Sequence, residues 1–163
     1  MAFKHTSGRI GLQAINETSA TQQHELGLVC GADDATLGSG EFIYLKGVAS
    51  TVVGSIVDYD VSFQTALNTT ALNTPSAVAV AMSANVADQY GWYQISGMTT
   101  MNKASSVSFA AGAAMASGAG LAIAVVSGLI LNAALVAIVA SAKSTTLSVK
   151  VMVNRPHGPS DVS

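Results

Sequence analysis

Between Lys103 and Lys143 the chain runs for 39 residues without a charged side chain. A run of that kind must be hidden from water, so it limits the folds open to this sequence. Residues 121–142 are almost continuously apolar, broken only by Ser127, Gly128, Asn132 and Ser141. About 20 apolar residues suffice to cross a bilayer as a helix. The composition argues instead for buried sheet. The run is rich in Gly, Val and Ala rather than Leu and Phe, and Ser127-Gly128 sits in its middle like a turn. Asn132 lies deep within it, no Trp or Tyr flanks it, and Lys143 is the only charge close to either end. Read as strands, Leu121, Ile123 and Val125 alternate with Ala122 and Ala124, and 129–131 and 135–139 follow the turn.

The aromatic residues are concentrated elsewhere. Tyr90-Gly91-Trp92-Tyr93-Gln94-Ile95-Ser96-Gly97 holds the only Trp and two of the four Tyr, with glycine near both ends. Side chains alternate along a strand, so Trp92 and Gln94 would face one side and Tyr93 and Ile95 the other. This reads as a central strand. Around it, glycines and small polar residues punctuate short apolar segments. Candidate strands are 26–30, 41–46, the alternating run 55–63, the Ala/Val run 77–82 and the alternating run 147–154. Gly31-Ala32-Asp33-Asp34 and Gly38-Ser39-Gly40 read as turns. In 55–63, Val57, Tyr59, Val61 and Phe63 would form one face; in 147–154, Leu147, Val149, Val151 and Val153 would do so.

Only 10% of the 163 residues are charged, against about 25% in an ordinary soluble domain. A surface so poor in charge is expected to be covered by partners. The net charge of −2, with seven Lys and Arg scattered along the chain, gives no electrostatic case for nucleic acid. Cys30 is the single cysteine, which excludes a disulfide framework within the chain; it reads as a small buried hydrophobe. The start, Met1 to Ser7, does not read as a signal peptide, so synthesis in a cytosol is expected. Residues 1–25 show little periodicity and read as an extended arm, 26–156 as a β-rich domain, and 157–163 as a loose tail.

No constellation of catalytic residues emerges. His5, His24 and His157 lie in the arm and tail without a triad or zinc pattern. Asp58 and Asp60 share one face of a candidate strand but have no acidic cluster around them, which favours a solvated face over a cation site. Gly112–Gly120 is glycine-rich without the Gly-Lys-Ser/Thr ending of a phosphate-binding loop. The expectation is a non-enzyme that needs no cofactor or metal. The fold class expected is all-β, an antiparallel barrel or sandwich of short strands with room for one short helix.

Several segments, in this order, resemble the head decoration (capsid cement) proteins of tailed bacteriophages. They are Gly-Ser-Gly-Glu-Phe-Ile-Tyr-Leu-Lys-Gly-Val-Ala-Ser-Thr (38–51), Gly-Ser-Ile-Val (54–57), Pro-Ser-Ala-Val-Ala-Val-Ala-Met-Ser (75–83), Tyr-Gly-Trp-Tyr-Gln-Ile-Ser-Gly (90–97) and Val-Lys-Val-Met-Val-Asn-Arg-Pro (149–156). The resemblance spans about residues 26–156. It implies a β-rich homotrimer on the outer surface of the virion, bound to the major capsid protein and clamping neighbouring capsomers, without direct contact to nucleic acid or membrane. On that reading the arm, with Phe3, Lys4, Arg9, Ile10 and Leu12, contacts the shell or a neighbouring subunit. Trp92, Tyr93, Ile123 and Val125 serve in the core or at a subunit interface. Two other readings compete: a small membrane-anchored phage protein spanning at 121–142, and a β-sandwich host- or glycan-binding module that uses Trp92 and Tyr93 as a stacking platform.

Overall fold

The computed structural model describes residues 4–5, 11–68, 77–85, 87–124, 135–141 and 147–155. Within them the chain forms β1 (Lys4–His5), β2 (Thr18–Ser19), β3 (Val29–Asp34), β4 (Gly38–Lys46), β5 (Ile56–Tyr59) and β6 (Thr65–Leu67). There follow β7 (Ala77–Ala81), β8 (Tyr90–Asn102), β9 (Met115–Gly118), β10 (Leu121–Ala124), β11 (Leu135–Ala137) and β12 (Ser148–Asn154). All pairings between these strands are antiparallel. The all-β expectation therefore holds. The short helix that the sequence left room for does not occur among the described residues.

The 13-residue β8 organises the rest. Its first half pairs with β4 along one edge and with β2 and β7 along the other; its second half pairs with β12. A β-bulge separates the halves. Glu41 pairs with Ser96 and Phe42 with Gln94, leaving Ile95 as the extra residue. One inserted residue reverses which face each later side chain occupies. Trp92 and Gln94 thus share a face with Thr99 and Met101, although the residue numbers change from even to odd. Gly97 sustains the bend at φ 98°, a conformation that disfavours a side chain. The Gln94 amide fills the kink, donating to the Ser96 and Met98 carbonyls at 3.0 and 3.1 Å.

Three cores follow from this geometry. On one face, Ile43, Leu45, Val57, Ala79, Ala81, Tyr93 and Ile95 pack together, with Tyr59, Phe63 and Leu67 against them. Strands β4, β8, β7, β5 and β6 curl around this cluster. The ring closes where Lys46 bridges Gln64 and the Thr65 hydroxyl donates to the Lys46 carbonyl at 3.0 Å. The opposite face is split. Phe42, Tyr44, Trp92, Met82, Cys30, Ala32 and Ile15 form the second core. Ile56, Val78, Val80, Met101, Leu135 and the buried valines of β12 belong to the third, with Phe109, Met115 and Ala122. Strand β7 is buried on both sides. Its alanines Ala79 and Ala81 face the first core while its valines Val78 and Val80 reach into the third.

The third core closes in the same manner. From β8 the sheet passes to β12 and β11; Ala114 then bridges Val136, and Ala122 bridges Lys103 at the end of β8. The β9–β10 hairpin turns through Ala119 and Gly120 at φ 51° and 74°, the double positive φ of the turn that matches strand twist.

Local polar groups explain where the sequence expectations and the strands part. The run 55–63 ends as a strand at Tyr59 because the Asp60 carboxylate accepts from the Ser62 and Gln64 amides at 2.8 and 3.0 Å, giving the backbone a turn instead of a ladder. Val61 is consequently 96% exposed rather than core-facing. Gly31 to Asp34 belongs to β3, not to a turn. The reversal comes at 35–37, where Asp34 Oδ1 accepts from Thr36 and Leu37. Gly38 to Gly40 likewise lies inside β4. In β12, Val149, Val151 and Val153 point inward as expected, but Leu147 precedes the strand and is exposed. In β10 it is Ala122 that is fully buried, with Leu121 and Ile123 only half-buried. The described parts of 121–142 include strands at both ends, and no helix among the described residues is long and apolar enough to cross a membrane.

Candidate interaction surface

The N-terminal quarter divides at about residue 11. Residues 11–24 lie as a strap over the second core. Ile15 is buried and Leu12 packs beside it against Phe42, Tyr44 and Trp92, and the His24 ring lies 5.0 Å from Tyr44 and 5.6 Å from Trp92. Gln13 engages all four of its polar groups. Its N–H donates to His24 Nε2 at 2.9 Å and its carbonyl accepts from Trp92 Nε1 at 2.9 Å. Its side-chain oxygen accepts from the Tyr44 hydroxyl at 3.0 Å, and its side-chain amide donates to the Glu17 carbonyl at 2.7 Å. The Tyr44 hydroxyl also accepts from the Gln23 amide. Burial pushes the Tyr44 phenol up, opposed by that Gln23 bond. At its far end the strap adds β2 to the edge of β8.

Beyond the strap, β1 attaches by strand pairing, Lys4 beside Asp33 and His5 beside Ala32. Lys4 is exposed. Among the described residues β1 covers the Ala32–Asp33 part of the β3 edge, and Val29 at the other end of that strand is 43% exposed. Of the arm residues anticipated as contacts, Lys4 thus lies at a sheet edge and Leu12 lies in the strap. Phe3, Arg9 and Ile10 lie outside the described residues. Sequence reasoning missed Gln13 and His24; the available signal was the pair Leu12 and Ile15 inside an otherwise polar run, which marks a segment with something to cover.

Trp92 and Tyr93 are both fully buried, on opposite faces of β8. Neither ring offers a stacking platform. Tyr93 receives a 2.6 Å bond from the Asn85 side-chain amide, and burial pushes its phenol up against the pull of that bond. Ile123 sits in β10 opposite Ala116, while Val125 lies outside the described residues.

A shallow groove of about 390 Å³ opens beside the bulge, lined by Gly31, Asp33, Ser39, Gly40, Glu41 and Ser96. Glu41 is held by Arg155 in a forked pair at 3.0–3.1 Å, which also raises the guanidinium's proton affinity. Both partners are exposed, so the pair steers rather than stabilises. Asp58 accepts from the Asn68 side chain at 2.6 Å, and Asp60 caps its own turn. Among the described residues no three His, Cys, Asp or Glu side chains come together in a way that could hold a metal ion. Cys30 is buried, as the sequence suggested. No family model, no curated protein and no solved structure matches this chain.

Proposed function

We propose that the chain is a structural protein of a tailed-phage virion. It binds the outer surface of the icosahedral capsid and clamps neighbouring major capsid proteins, which stabilises the head. It acts as a homotrimer, is made in the bacterial cytoplasm and carries out no catalysis. Support comes from the resemblance of residues 38–51, 75–83, 90–97 and 149–156, from the charge-poor composition, and above all from one structural observation. The N-terminal arm is attached to the body through two register pairs at the β3 edge. Strand addition of that kind is a general mode of protein recognition, in which backbone bonds give affinity and the edge accepts any extended segment. An arm joined by such pairing can exchange it for a strand of a capsid protein or of a neighbouring subunit.

The strap sets where the arm can be cut. Deletion of residues 2–15 would be harmless if the whole of 1–25 were a free arm. Ile15 and the four bonds of Gln13 make that deletion disruptive. Deletion of residues 2–10 is the clean test. It should leave Trp92 fluorescence at its wild-type maximum and lower occupancy on undecorated capsids by about tenfold or more, the equivalent of losing one or two net hydrogen bonds and their contacts. Full occupancy by a folded deletion variant would remove the arm from the mechanism.

A further inference from the structure

We infer that Val61 of one copy seats on an apolar patch of Val52, Val53 and Leu147 on the next, and that this head-to-tail contact joins the subunits. The inference rests on the homotrimer proposed above and names its subunit contact. Val61 is 96% exposed, and single exposed valines are ordinary. This one differs in how firmly it is held out. Asp60 Oδ1 accepts from the Ser62 and Gln64 amides at 2.8 and 3.0 Å. The Asp60 amide donates to the Gln64 carbonyl at 3.2 Å, and the Phe63 amide to the Asp60 carbonyl at 3.0 Å. Phe63 adopts φ 60° and lays its ring against Gly27, where a Cβ would collide with it. Its carbonyl accepts from the Lys46 amide at 3.0 Å, which ties the turn to β4. An apolar side chain on a turn already fixed loses little freedom on binding.

The receiving patch lies beyond the other end of β5. Val52, Val53 and Leu147 are 52%, 45% and 67% exposed. The end of β8 gathers them. Asn102 donates to the Val53 carbonyl through its side chain at 2.7 Å and to the Gly54 carbonyl through its amide at 2.9 Å, while the Lys103 amide donates to the Leu147 carbonyl at 2.9 Å. The turn at 52–55 is fixed as well, the Val52 amide donating to Ser55 Oγ at 3.1 Å and the Ser55 amide to the Val52 carbonyl at 3.0 Å. Two features make a second copy the occupant. The first is charge. Beside Val61 stands the exposed Asp60; beside the patch stands the exposed Lys150, two residues along β12 from the Ser148 that pairs with Asn102. Opposite charges at the two rims favour tip on patch, whereas tip on tip would bring two Asp60 carboxylates together. The second is placement. Tip and patch flank β5 at opposite ends, so a copy whose tip is engaged still offers its patch. A contact of that kind runs head to tail and closes into a ring when the rotation allows.

Sedimentation velocity of the full chain tests the contact without a capsid. The wild type should run as a trimer, while Val61→Asp and Leu147→Asp should each run as monomers, their association weakened by about thirtyfold or more. Both side chains face solvent in the single chain, so both variants should keep wild-type Trp92 fluorescence. A wild-type trimer that survives either change would overturn the contact and leave the trimer standing; a wild-type monomer would overturn both. Cross-linking reads the direction. An equal mixture of Val61→Cys and Leu147→Cys, treated with a short bis-maleimide, should give linked pairs that neither variant gives alone. Links within Val61→Cys alone would mean tip against tip and would overturn the head-to-tail arrangement.

Discussion

At Gly97 a single absent side chain permits the bend between the part of β8 that pairs with β4 and the part that pairs with β12. A Cβ there would lie 2.5 Å from the Ser39 carbonyl oxygen and 2.9 Å from the Gly40 Cα, both backbone atoms with little room to yield. Gly97→Ala therefore combines that clash with a positive φ and should cost about 3 kcal/mol in urea unfolding. A midpoint equal to wild type would mean that the bulge relaxes freely. Tyr93 makes a second residue-scale prediction. Its phenol, like those of Tyr44 and Tyr59, is raised by burial above the unfolded value of about 10. A raised tyrosine contributes stability that is complete below the unfolded value and is lost as pH rises through the folded one. In an alkaline titration the Tyr93 phenolate signal should appear together with loss of native Trp92 fluorescence. Independent ionisation of all four tyrosines in a folded chain would contradict the burial.

Elements were legible in the sequence where one physical signal acted alone. The aromatic strand at 90–97 and the alternating valines at 149–153 followed from side-chain periodicity, and the structure places them so. Legibility failed where a short polar side chain intervened. Asp60 and Asp34 each bind amides two to four residues onward and decide where a strand ends, while the apolar pattern runs on past them. It failed again at the bulge, whose face reversal leaves no periodicity signal, and in the strap, where one glutamine bonds to residues up to 79 positions away. Strand β10 carries a further lesson. Its alternation was visible, but the larger residues face outward and Ala122 faces the third core. Ala122→Asp should abolish folding by placing an unpaired carboxylate in that core, whereas Ile123→Asp should cost clearly less. Equal losses in thermal unfolding would show that both faces of β10 are enclosed.

Across the whole molecule, β8 and β7 act as shared walls between closed β units, and the strap and β1 are laid over and beside them. A chain with 10% charged residues built in this way has, among its described residues, a packed body and a short strand, β1, added at one edge. That division suits a protein that must fold before its partner is present and then fasten to it. The same division explains why the groove at Asp33 and Glu41 lies next to β1: the edge where the arm rests is also where the body offers charge. The most direct test of the capsid reading is electron cryo-microscopy of undecorated tailed-phage heads mixed with the purified protein in excess. The account predicts added density on the outer surface between capsomers, three copies grouped about each site, with the N-terminal arm paired to a strand of a neighbour. Bare shells at saturating protein would contradict it.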